Sequence, residues 1–295
     1  MTYSLEIKNL TKTYPHSDFR LDNVSFSIPR GTIMGFVGEN GSGKTTTMNA
    51  VLNTIKKDNG TVKILGREMG DKDTDIREQV GVVFDAVNFS GILTPAKLAK
   101  VMAGVYKQWD QEFFLKTTAR FNIEMGKKIK QFSRGMTMKL ALAVALSHRP
   151  QLLILDEATA GLDPIVREEI LGVFLEFVED ENHSILMSSH ITSDLEKIAD
   201  YITFIHHGKV ILTEKKDHLI YDYGIARCKA EQFQLIDRTD MMAYKKRDYQ
   251  IDVLVENRKA FERKYSGIVV DTGTVDEIML LLIKGEQQDE RFAGK

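Results

Sequence analysis

The 295-residue chain is 43% hydrophobic and 28% charged, a balance that excludes extended disorder, collagen-like repeats and a bare coiled coil. Its 40 Lys and Arg stand against 42 Asp and Glu, a formal charge of −2, so no global basic field holds a nucleic acid or an anionic membrane. The single cysteine, Cys228, excludes an intramolecular disulfide framework and a multi-cysteine metal site, and fits a reducing cytoplasm.

The start, MTYSLEIKNL, carries charge early and has no apolar h-region, so no signal peptide is expected. Leu5 and Ile7, then Val24, Phe26 and Ile28, alternate with polar residues and predict half-buried antiparallel strands. The continuous apolar run 32–37 predicts a strand buried on both faces. It leads into GENGSGKT at 38–45, after which Met48, Val51, Leu52 and Ile55 recur at helical spacing. The unit is strand, glycine loop, helix.

Further strands are expected at 62–65 and 80–84. Thr94-Pro95 predicts a helix start, and the stretch to about 147 is mainly helical, with Leu98, Val101, Met102, Val105 and Tyr106 on one face. Buried strands are predicted at 152–155 and 185–188, a helix from Asp163-Pro164, and another from a capping box at Ser193–Glu196. A hairpin is expected at 201–205 and 209–213 around His207-Gly208. The alternation implies an α/β fold with a largely parallel sheet, spanning 1–217 with a helical insert at about 88–149. Residues 218–284 read as a small α+β extension, with strands near 250–255 and 267–271 and helices near 257–265 and 274–284; 285–295 read as a polar tail. There is no internal repeat. The longest apolar runs, such as 152–155 and 279–283, fall far short of the roughly 20 residues a membrane span needs, so a membrane process would be served through a partner.

The segment Gly38-x-x-x-x-Gly43-Lys44-Thr45 fits the phosphate-binding loop pattern in the strand–helix context it requires. Glycines let backbone N–H groups close around a phosphate, and the following helix adds its dipole. Lys44 supplies a positive charge for the β- and γ-phosphates, and the Thr45 hydroxyl can ligate Mg2+. A buried strand ending in Asp156 places a carboxylate where it can hold Mg2+ through water. Glu157 is then placed to orient or deprotonate the attacking water.

Five elements in this order resemble the ATP-binding cassette (ABC) ATPases over about residues 1–217: the loop Gly38–Thr45, the stretch FSRGM at 132–136 in the place of a signature LSGGQ, Asp156-Glu157, the D-loop-like AGLD at 160–163, and Ser188-Ser189-His190 at the switch histidine. The resemblance implies a P-loop cassette with a RecA-like core, an antiparallel β subdomain and an α-helical insert. It implies that ATP·Mg2+ is sandwiched between two cassettes, identical or paralogous. On that reading Gly38, Glu39, Asn40, Gly41, Ser42, Gly43, Lys44, Thr45 and Thr46 hold the phosphates, Tyr14 stacks on adenine, and Ser133, Gly135 and Asp163 serve the dimer site. His190 braces the γ-phosphate.

Three features depart from the family pattern. Arg134 and Met136 replace the usual Gly and Gln of the signature, Asp85 stands where a Gln usually senses Mg2+ and is expected near the metal, and the 218–284 extension lies outside the core cassette. The set resembles bacterial one-cassette ATPases that drive separate membrane permeases exporting peptides or drugs. Phe89, Ile92 and Leu93 are the apolar candidates for docking such a permease. The expected location is cytoplasmic, peripheral on the inner face of the membrane, with no nucleic-acid partner. The alternative is a soluble ABC ATPase acting on ribosomes or nucleic acid, but tandem cassettes and long coiled coils are both absent. The runs 127–130 and 245–247 read as solvated basic surface.

Overall fold

The alternation in the first 30 residues becomes two paired strands in the computed structural model, which describes residues 2–70, 73–85 and 89–287. Strands β1 (Tyr3–Thr13) and β2 (Arg20–Pro29) run antiparallel, with Leu5 opposite Ile28 and Ile7 opposite Phe26, all four buried. Strand β3 (Ile33–Val37) is buried at every position and feeds the glycine loop and α1 (Lys44–Val51). Strands β4 (Asn59–Ile64) and β5 (Arg67–Glu68) complete a four-stranded antiparallel sheet, ordered β2-β1-β4-β5. A short α2 (Thr74–Glu78) precedes β6 (Val80–Val83).

The insert holds α3 (Pro95–Val105), α4 (Gln111–Arg120) and α5 (Arg134–Leu146). Each starts on a polar N-cap that accepts a backbone N–H three residues on: Thr94, Asp110 and Ser133. Strand β7 (Leu152–Asp156) returns the chain to the core, followed by α6 (Pro164–Phe177), β8 (Ser184–Ser189), α7 (Thr192–Ile198), β9 (Tyr201–His206) and β10 (Lys209–Lys215). These strands form a six-stranded sheet ordered β10-β9-β3-β8-β7-β6, parallel except for β10.

The register decides where the chemistry sits. Val37 lies opposite Ser189, and Asp156 opposite Ser188, so the carboxyl ends of β3, β7 and β8 finish side by side. Such strand ends are where open α/β sheets bind ligands.

One expected boundary moves. α7 begins at Thr192, with no side-chain cap, so Ser193–Glu196 is not a capping box. Instead the Ser189 hydroxyl accepts from Ile191 N at 2.9 Å and turns the chain into the helix two residues earlier.

Helix α8 (Lys216–Tyr221) spans the expected boundary between 217 and 218. The extension continues through β11 (Gly224–Cys228), α9 (Ala230–Phe233), β12 (Ala243–Lys246), β13 (Ile251–Val255), α10 (Arg258–Lys264), β14 (Val269–Asp271), α11 (Val275–Lys284) and β15 (Glu286–Gln287). Its antiparallel sheet is ordered β14-β11-β13-β12-β15. Leu219, Tyr223, Ile225, Val275, Ile278 and Leu282 pack in one continuous apolar core with Leu195, Ile198 and Phe204 of the main domain. The extension is therefore seated on the α/β core by buried apolar surface.

Candidate nucleotide site

The glycine loop closes tightly on its own backbone. Gly38 admits no Cβ, which would come within 2.4 Å of the Ile205 carbonyl and 2.5 Å of Ser42 Oγ. Gly43 has φ +113° and enters α1 directly, a conformation that favours glycine. Beyond it, the amides of Lys44, Thr45 and Thr46 have no acceptor among the described residues, as at the open start of a helix. Ser42 Oγ is buried and also lacks a partner among those residues. These donors suit an anion.

Lys44 lies inside the loop. Its Nζ donates to the Gly38 carbonyl at 2.7 Å and the Glu39 carbonyl at 3.2 Å, and stands 3.8 Å from Glu157 Oε1. Burial pushes the Lys44 ammonium below the usual lysine range, while the Glu157 and Asp156 carboxylates act to raise it. Thr45 Oγ1 donates to Asp156 Oδ2 at 2.8 Å, and Ser188 Oγ donates to the other Asp156 oxygen. This hard-oxygen pair, Thr45 and Asp156, has the donor chemistry that Mg2+ prefers.

Glu157 sits at φ +54°, left-handed backbone that a glutamate adopts at a cost of about 1–3 kcal/mol. Its N–H donates to the carbonyl and hydroxyl of Ser188, which holds the turn. The side chain is thereby aimed between two partners, Lys44 on one oxygen and His190 Nδ1 at 2.6 Å on the other. His190 itself is more than half exposed. A 270 Å³ cavity is lined by Asn40, Gly41, Gly43, Lys44, Thr45, Thr46, Glu157 and Phe19.

Phe19 was not singled out from the sequence. It faces the loop because a Cβ on Gly43 would lie 3.2 Å from its ring, and its signal is a lone aromatic just ahead of β2. Tyr14 stands behind it, rings 6.4 Å apart, with Lys12 Nζ 5.3 Å over its face; it does not line the cavity.

The remaining candidates lie elsewhere. Ser133 Oγ accepts from Met136 N at 3.2 Å, and Asp163 Oδ1 accepts from Val166 N at 3.0 Å, so each caps a helix. Gly135 faces Val166 of α6. Asp85 follows the end of β6, where Val83 lies opposite Leu155 of β7, and makes no hydrogen bond to Thr45 or Asp156 among the described residues. Its carboxylate is held by the Arg134 guanidinium. A Cβ on Gly161 would come within 3.2 Å of that same guanidinium. Arg134 thus bonds Asp85 and lies close to Gly161, two positions that the sequence separates from it by tens of residues. Of the docking candidates, Phe89 and Leu93 pack against the core, while Ile92 is 74% exposed.

The Asp85–Arg134 pair is half exposed on both sides, so its direct contribution to stability is about 1 kcal/mol or less. Arg134→Ala is expected to leave the melting temperature within a few degrees yet to lower ATP turnover several-fold, because it removes the bond to Asp85 and the side chain close to Gly161 together. The exchanged pair Asp85→Arg with Arg134→Asp is expected to recover part of the loss. Unchanged turnover in Arg134→Ala would remove the pair from the working site.

The comparisons with known proteins agree with this geometry. The family model described as ABC transporter matches residues 21–160. The bacitracin transport ATP-binding protein BcrA of Bacillus licheniformis is 31% identical over 269 residues, 90% of this chain and 86% of that protein. That alignment necessarily reaches into the C-terminal extension. The lantibiotic transport ATP-binding protein SrtF of Streptococcus pyogenes is 35% identical over 215 residues, 72% of this chain and 91% of that protein. A solved ATP-binding subunit of an ABC transporter superposes with a TM-score of 0.66 at 26% identity, covering 73% of this chain and 91% of the other. A phosphate loop and Glu157 lining one cavity, with Asp156 bonded to Thr45 and His190 to Glu157 at the neighbouring strand ends, and relatives matched over most of their length, give one result: this chain belongs to the ABC transporter family, as an ATP-binding, ATP-hydrolysing transport subunit.

Proposed function

We propose that this ATPase drives a separate membrane permease that exports antimicrobial peptides or drugs. The observation that carries the reading is the similarity, over most of their lengths, to transport ATP-binding proteins named for bacitracin and a lantibiotic, both antimicrobial peptides. A permease is needed because no helix among the described residues is long and apolar enough to cross a membrane. That requirement would hold the ATPase at the inner face of the membrane.

Two adjoining grooves suit a cytoplasmic segment of such a permease. One, of about 390 Å³, is lined by Leu52, Met69, Val82, Phe84, Val105 and Tyr106. The other, of about 280 Å³, shares Val82, Phe84 and Tyr106 and adds Phe89, Met102 and His148. Exposed Ile92, Val101 and Val105 supply apolar surface on the same insert. Phe84, which lines both grooves, precedes Asp85 in the chain, and Asp85 is paired with Arg134.

We assign the catalytic roles on the same reading. Lys44 binds the β- and γ-phosphates. Glu157 orients and polarises the attacking water, and His190 holds the Glu157 carboxylate in line. Thr45 and Asp156 would hold Mg2+, which supplies positive charge to the phosphates as the terminal bond breaks. Ser133 and Gly135 do not share the phosphate-loop cavity, which supports their serving the nucleotide of a second cassette. Phe19 and Tyr14 form the aromatic side of the site, with Phe19 the nearer to the loop.

Affinity capture of the full chain from detergent-solubilised native membranes, followed by mass spectrometry, tests the reading. A polytopic membrane protein is expected to co-purify. Ribosomal or DNA-processing proteins without a membrane subunit would overturn the transport role and leave the ATPase chemistry standing.

A further inference from the structure

Helix α11 touches the cassette at both of its ends, on segments that flank the nucleotide site. Its buried face, Val275, Ile278, Leu281 and Leu282, packs in the same core as Leu195 and Ile198 of α7. At its N-terminus, Glu196 Oε1 of α7 accepts from Val275 N at 2.7 Å, beside the capping box made by Thr274 and Glu277. The helix α7 begins two residues after His190. At its C-terminus, Lys284 Nζ lies 3.4 Å from Glu39 Oε1, the second residue of the phosphate loop. Both side chains of that pair are about half exposed, and a lysine there also suits the negative end of the helix.

His206, at the end of β9, is close enough to feel the charges of the same pair. Burial holds its imidazole below the usual histidine range, His207 and Lys284 add to that effect, and Glu39 opposes it. The backbone of Glu39 is itself part of the loop: its carbonyl accepts from Lys44 Nζ at 3.2 Å and from Ser42 N at 3.1 Å. Glu39 thus carries its carboxylate on the phosphate loop itself, outside the cavity lining, and a negative charge on that loop disfavours a polyphosphate ligand. Lys284 both neutralises that charge and draws it toward α11.

We propose that α11 is a strap through which the C-terminal extension sets nucleotide affinity, with Lys284 as a positioning residue that acts on the phosphate loop through Glu39. Because the coupling is an equilibrium one, a bound nucleotide strengthens the seating of α11 to the same extent.

The test uses the full chain in four forms: wild type, Lys284→Ala, Glu39→Gln and the double variant. The readouts are the dissociation constant for ADP by calorimetry and the kcat and KM of ATP hydrolysis. Lys284→Ala is expected to weaken ADP binding and raise KM by about two- to fivefold, the scale of an exposed ion pair, with the change falling in KM rather than kcat. Glu39→Gln sets its own reference affinity, and in that background Lys284→Ala is expected to change nothing further. Lys284→Arg is expected to keep wild-type affinity. An equal loss whether Lys284→Ala is made in the wild type or on top of Glu39→Gln would mean that Lys284 only anchors the helix and would overturn the proposal. So would wild-type affinity in Lys284→Ala.

Discussion

Glu157→Gln is expected to lower ATP turnover by at least about 100-fold, the range for removal of a general base, while ATP binding is retained. The substitution isolates one variable. Glutamine has the same shape and meets the same left-handed backbone at φ +54°, so the strained turn is kept and only the negative charge is lost. That charge is what pairs with Lys44 and takes the His190 hydrogen bond at 2.6 Å. With hydrolysis blocked, ATP is also expected to hold two chains together. Phosphate release measures the first effect, and light scattering on a sizing column, with and without ATP, measures the second. Turnover within a few-fold of wild type would strip Glu157 of its role.

Lys44→Ala is expected to act on binding and chemistry together. The side chain is buried, and its ammonium is satisfied by the Gly38 and Glu39 carbonyls, with the Asp156 and Glu157 carboxylates as neighbours. Its removal leaves two carboxylates facing an incoming polyphosphate with no fixed cation between them. ATP affinity is expected to fall by more than tenfold, and turnover by about 100- to 1000-fold, as when a preorganised charge partner of the transition state is lost. Calorimetry with ADP separates the binding loss from the catalytic one. Lys44→Arg is not a conservative replacement here, because a planar fork does not fit where one nitrogen meets two carbonyls inside a glycine turn. Undiminished ADP affinity in Lys44→Ala would mean that Lys44 does not reach the phosphates.

The contrast with Arg134 and Lys284 is one of burial. Both of those pairs are about half exposed, where water and salt weaken a Coulomb interaction, so each is worth a few-fold. Lys44 and Asp156 are buried, and there the same charges act with less screening.

What could be read from the sequence alone was local. The phosphate loop, the acidic pair at 156–157 and the SSH at 188–190 are runs of consecutive residues, and each follows an apolar run whose pattern marks it as a buried strand. Loop chemistry of this kind is set by φ freedom, hydrogen-bond donors and charge within about eight residues, so no long-range contact is needed to see it. The helix starts at Thr94 and Asp163 were legible for the same reason. The start of α7 was not, because Ser189 and Ser193 both offer cap chemistry and only the turn after β8 selects between them.

The tertiary structure decided the pairings. Asp85 read as a residue near the metal, and the sequence did not show that the fold also delivers Arg134, 49 positions away, to its carboxylate. Phe19 has no motif around it and reaches the phosphate loop only because β2 lies against that loop. The extension read as a separate appendage, while α11 in fact bridges Glu196 and Glu39. The physical reason is common to all three. Sequence patterns specify which residues form a strand or cap a helix, but the sheet order β10-β9-β3-β8-β7-β6 and its register choose which strand ends finish side by side. That order is a property of how the whole core packs, and it alone places charges tens to hundreds of residues apart within reach of one another.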